Sequence, residues 1–147
     1  MIGRHRWFRI YPDRKTGEWY YTVHVFCDRD DMYKWFLKHQ STPDGNCNFA
    51  AIVESFKRMS LVNSRWKRHS EIGYVLYYLG NCGAGVMTHE AIHAATYYFQ
   101  QRENKVLGGL SKYRHGKAFD VADERYAWVV GNLANQIVRG FWKTGVY

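Results

Sequence analysis

Two prolines, three cysteines and no long apolar run set the first limits on this chain of 147 residues. So little proline argues against an extended, proline-rich protein and leaves the backbone amides available for regular structure. Cys27, Cys47 and Cys82 are odd in number and form no CxxC pair, which argues against a disulfide framework and against a cysteine zinc site. They read as free thiols of a reducing cytoplasm. Nowhere do about 18 apolar residues follow one another, and the basic opening MIGRHRWFRIYP lacks the apolar block of a secretory leader. A soluble cytoplasmic protein with no membrane partner is therefore expected. Acidic residues are scarce too, with 13 Asp and Glu against 21 Lys and Arg, for a formal charge of +8. That balance suits phosphates. The cations are scattered along the chain, however, and such scatter reads first as a solvated surface; the alternative is weak nucleic-acid contact centred on SRWKRHS, where Trp66 would stack on a base.

What is present describes an ordered globular protein. Hydrophobic residues make up 46% and aromatics 18%, enough for one domain, residues 1–147, to bury a core without disulfides or a structural metal. Alternation of apolar and polar residues over Arg4–Tyr11 and Trp19–Cys27, with PDRKTGE between them, predicts a hairpin. DRDDMYKWFLKHQ predicts a helix with acids at its positive end, and STPDGN ends it. The apolar run in CNFAAIVESFKRM is read as a strand, the polar stretch after it as connection, and IGYVLYYL as a buried strand. Gly80, Gly83 and Gly85 then lead into a helix expected over Ala84–Arg102. NKVLGGLSKYRHGKAFDVA reads as a long loop, and a closing amphipathic helix is expected from about Val121 to Trp142. No repeat or second domain is visible.

Within the first of these last two helices lies HEAIH, residues 89–93. Four residues on a helix make about one turn, so His89 and His93 project from one side and can converge on a single ion, for which zinc is the best match. Glu90 points about a quarter turn away, where a general base for a metal-activated water belongs. The ordinary alternative is a pair of solvated helix histidines and a solvated carboxylate. In the closing helix Glu124 precedes Ala127, Trp128 and Gly131 by three, four and seven positions, which predicts that it faces the core. A carboxylate buried there would need a cation, and the small residues would let the two helices come close.

The runs GNCGAGVMTHEAIHAATYYF and DERYAWVVGNLANQIVRGF resemble small zincin-like proteins of the gluzincin type, widespread in phages and mobile elements. In those a GxGVxxHExxHA helix is followed by an ExxA helix. The resemblance covers about Ile72 to the C-terminus. It implies an α+β zincin-like fold, a small mixed sheet packed on the HExxH helix and a second ligand-bearing helix. It further implies one zinc ion held by His89, His93 and Glu124, Glu90 as base, and hydrolysis of peptide bonds in a peptide or protein substrate. If the chain is phage-encoded, its compartment would be the bacterial host's cytoplasm. Trp128 stands where many larger gluzincins carry an Asp that orients a ligand histidine, so Asp123, Asn132 or a backbone carbonyl would have to do so. The resemblance also implies that substrate pairs along the edge of the Ile72–Leu79 strand, and Tyr113 or His115 would offer oxyanion help. Two other functions fit the same residues: a catalytically inactive zinc-binding interaction module, and a basic nucleic-acid-associated protein such as a protease recruited to nucleic acid in the SprT-like manner.

Overall fold

The computed structural model describes residues 5–39, 51–55, 59–102 and 117–146, with side chains left out at Arg102 and over 117–123. In chain order the elements are β1 (Arg6–Ile10), β2 (Tyr20–Phe26), α1 (Arg29–His39), β3 (Ile52–Ser55), β4 (Met59–Val62), β5 (Arg65–Arg68), β6 (Glu71–Tyr78), α2 (Ala84–Arg102) and α3 (Lys117–Lys143). Among the described residues this is a small mixed α+β fold with three α-helices and two sheets. Among the described residues no helix is long and apolar enough to cross a membrane.

Four strands form the main sheet in the order β1-β2-β6-β3, with β2 parallel to β6 and the other two pairings antiparallel. Both central strands are buried on both faces, which explains why IGYVLYYL is a continuous apolar run rather than an alternating one. Ile10, Val23, Val25, Val75 and Tyr77 face α2 and α3, which contribute Ala91, Ala94, Leu133, Ile137 and Phe141. On the other face Phe26, Tyr74 and Leu76 pack against Met32 and Phe36 of α1. Asp28 accepts the amide of Asp31 at 2.9 Å and so caps α1.

The central place of β6 corrects the expectation that its edge receives substrate. The strand is hydrogen-bonded to β2 on one side and to β3 on the other, so among the described residues the outer strands of this sheet are β1 and β3. A second correction concerns α3, which begins at Lys117, inside the stretch expected to be loop. A third is the polar stretch after CNFAAIVESFKRM, which reads in the sequence as connection; from Met59, the last residue of that run, to Arg68 the chain is structured. It forms a separate two-stranded ribbon, β4 with β5, turned through Asn63 and Ser64, both at positive φ. That turn is a type I′ pair, whose twist matches the flanking strands.

Two close approaches fix the layers. At Gly73 the Tyr21 ring crosses β6, and the Tyr21 hydroxyl donates to the Ala94 carbonyl of α2 at 2.9 Å. At Gly140 the Phe8 ring of β1 lies flush on α3, where an added Cβ would stand 2.1 Å from it.

Beside α1 three histidines, His5, His24 and His39, gather into one aromatic stack. The His5 and His24 ring nitrogens lie 2.7 Å apart, His24 contacts Trp35, and His39 stacks on Trp35 with centroids 4.0 Å apart. Burial first, then the charges of His5 and His39, lower the His24 pKa from 6.5 to about 4. A histidine held neutral in the fold but not in the unfolded chain stabilises above pH 6.5, and that stability is lost as pH falls from 6.5 through 4. Melting scans should therefore be flat above pH 7 and fall below 6.5, by up to ~2 kcal/mol at pH 4 once solvent screening is allowed for. The fall should be shallower in His24→Gln. An equally steep fall in that variant would place the titration elsewhere.

Candidate metal centre

Residues 89–93 lie in the first half of α2, whose inward side is set by Met87, Ala91, Ala94, Ala95, Tyr98 and Phe99, all buried. That packing fixes the helix rotation and leaves His89, Ile92 and His93 on the outward side. The two imidazoles meet there with their Nε2 atoms 3.0 Å apart and their rings edge to face. Two nitrogens on one tetrahedral zinc, each at 2.0–2.1 Å, stand about 3.3 Å apart. The pair therefore fits two coordination positions with a shift of a few tenths of an ångström. Burial, and then the charge of His89, lowers the His93 pKa and favours the neutral ring that can ligate.

Glu90 turns the other way. It is only 6% exposed, and burial raises its pKa, with the charge of His89 opposing the shift. Toward the sheet it acts electrostatically on Tyr77, a fully buried β6 residue whose hydroxyl has no hydrogen-bond partner among the described residues. Burial, then the charges of Glu90 and Cys82, push that phenol well above its ordinary pKa. The sequence reading passed over Tyr77. Alternation along β6 was the available signal, since Val75 and Tyr77 share the face toward α2 while Tyr74 and Leu76 share the other.

Glu124 is where the structure departs from the reading. It is exposed, not core-facing, and lines an open groove with Ala127, Trp128, Gly131, Asn132 and Asn135. The reason is the phase of α3. Leu133, Ile137 and Phe141 are fully buried and Tyr126 and Val130 pack beside them, whereas Trp128 is 74% exposed. At about 100° per residue, Glu124 lies roughly half a turn from Leu133. Among the described residues nothing lies within 4 Å of a Cβ added at Gly131, so it marks no close crossing with α2.

The two helices do meet nearby, through Tyr126. Its hydroxyl lies 3.1 Å from Thr96 Oγ1, one turn beyond Ile92, and its ring contacts Phe99. The structure thus brings together His89 and His93, places Glu90 inward beside them, and leaves Glu124 apart. Among the described residues no group of three or more His, Cys, Asp or Glu side chains is placed to hold a metal. Tyr113, His115 and the side chain of Asp123 lie outside the described residues. Asn132 lines the α3 groove rather than the histidine pair. Cys27 is an exposed thiol, and Cys82 is buried, with its thiol donating to the Tyr78 carbonyl at 2.7 Å. No family model, no curated protein and no solved structure matches this chain.

Proposed function

We propose that this protein is a zinc-dependent peptidase in which His89 and His93 hold the ion and Glu90 moves the proton. The observation that carries the reading is the Nε2 pair, 3.0 Å apart on a helix face that the core does not need. A bound zinc would lower the pKa of a coordinated water toward ~7 and polarise a substrate carbonyl. The chain supplies the rest. One turn of α2 orients both rings, the partly desolvated His93 stays neutral, and the buried Glu90 carboxyl has the raised proton affinity that lets it accept a proton and return it to a leaving amine. Substrate strands would find the β3 edge rather than β6.

Elemental analysis of the purified protein tests the centre. Zinc near one equivalent is expected in the parent, with affinity at least ~10-fold weaker in His89→Ala and in His93→Ala, since even partners that only orient a ligand are worth that much. No zinc in the parent, or equal loading in both variants, would end the reading. Glu124→Ala assigns the remaining protein ligand: loss of the ion places Glu124 on it, and unchanged loading removes Glu124 from the set. A second reading, a zinc-binding interaction module without turnover, is favoured by one observation, the inward turn of Glu90 away from the face that carries the histidines.

A further inference from the structure

The β4–β5 ribbon is the part of the molecule that the metal centre leaves unexplained. It stands apart from the main sheet, and its side chains are largely exposed: Leu61, Val62, Met59 and, most of all, Trp66 at 69%. Leu61 and Trp66 stand opposite each other, so together they form one exposed apolar patch. Arg65 and Lys67 flank it on β5, and the stretch from Met59 to Ser70 contains no Asp or Glu. Among the described residues neither Arg65 nor Lys67 has a carboxylate within ion-pair range.

The base of the ribbon, by contrast, is anchored. Arg68 lies over the Trp19 ring at 4.2 Å and donates to the Gln101 side chain of α2, and Gln101 in turn donates to Ser55 of β3. Ser60 is hydrogen-bonded to His69 at the same end. The third cation of β5 is therefore used structurally, and the two nearer the turn are left to the surface. The register pairs Leu61 with Trp66 on one face and Val62 with Arg65 and Ser60 with Lys67 on the other. Arg65 and Lys67 therefore leave the face opposite Trp66, and their long stems would meet the phosphates of a strand that wraps the β5 edge.

We propose that the β4–β5 ribbon is an arm that binds single-stranded nucleic acid, with an unpaired base stacked on Trp66 and backbone phosphates held by Arg65 and Lys67. Charge complementarity selects this occupant: the arm is purely cationic, the whole chain carries +8, and an apolar protein partner would gain nothing from the two cations. Unpaired bases offer the free faces that stacking requires, whereas a duplex hides them. The proposal does not rest on zinc or on peptide hydrolysis.

Fluorescence anisotropy of the full chain with a labelled oligothymidylate of about 20 nucleotides tests it, across a salt series. Binding should weaken with salt, and Arg65→Ala/Lys67→Ala should reduce the log–log slope by about 1.4, the value for two phosphates on a single strand. Trp66→Ala should weaken binding by about 10-fold with the slope unchanged, and Trp66→Phe should retain most of it. Melting temperatures should stay at the parent value, since these side chains are exposed. No binding by the parent, an unchanged affinity in Trp66→Ala, an unchanged slope in the double variant, or tighter binding to a duplex of equal length would each overturn the proposal. His89→Ala should bind the oligonucleotide like the parent, which separates failure here from failure of the metal centre.

Discussion

Replacing Gly73 by alanine should lower the melting temperature by about 10 °C. Three strands converge at this residue: Gly73 sits opposite Tyr21 of β2 and opposite Ser55 of β3. A Cβ there would stand 2.3 Å from the Glu54 carbonyl oxygen and 2.7 Å from the Tyr21 ring. Neither neighbour is free to move, since one is sheet backbone and the other is a fully buried ring tied to α2. Overpacking in a core costs about 1–3 kcal/mol, and contacts this short call for the upper end. Each kcal/mol lowers the melting temperature of a domain of this size by roughly 2–4 °C. The strain should also reach the histidines, because Tyr21 holds α2 at Ala94, the residue after His93. Combining Gly73→Ala with Tyr21→Ala removes the ring from the clash, so the pair should cost less than the sum of the single losses by about 1 kcal/mol. A Gly73→Ala protein that melts within about 2 °C of the parent would show that β3 can move aside.

Glu90→Gln should reduce hydrolysis of a quenched fluorescent peptide library by at least ~100-fold while zinc loading stays at the parent level. The two side chains have the same shape, so packing between α2 and β6 is kept. What changes is the charge, and a neutral amide is less costly than a carboxylate at a position only 6% exposed. Melting temperature should therefore hold or rise, a combination that a structural role for Glu90 does not produce. Undiminished hydrolysis in Glu90→Gln would remove it as the base, and a parent without hydrolysis would leave the zinc-binding module as the reading.

How much of this was legible follows from what sets each element. The bounds of α2 could be read from the glycines before it and the helical spacing within it, and the α1 start from its acids. The hairpin of β1 and β2 and the buried β6 were legible from period and composition. The position of β6 inside the sheet was not, because strand order depends on which partners return from far along the chain. Phase misled at Glu124: Ala127 and Trp128 look like an apolar stripe, but the large side chains Leu133, Ile137 and Phe141 win the core and turn Trp128 into solvent. The ribbon was hidden because its turn, Asn63-Ser64, lacks the glycine that usually betrays a type I′ hairpin. The pairing of His89 with His93 was legible since it needs only one turn of helix, whereas the inward aim of Glu90 at Tyr77 depends on the sheet beneath.

The parallel rung between β2 and β6 has a consequence for how the chain is made. β2 must wait for a partner strand that emerges only after α1, β3 and the ribbon, so until then the hairpin of β1 and β2 has one flank unsatisfied. Until Tyr78 has left the ribosome that flank, carrying Tyr21, Val23 and Val25, is a sticky template for other nascent copies.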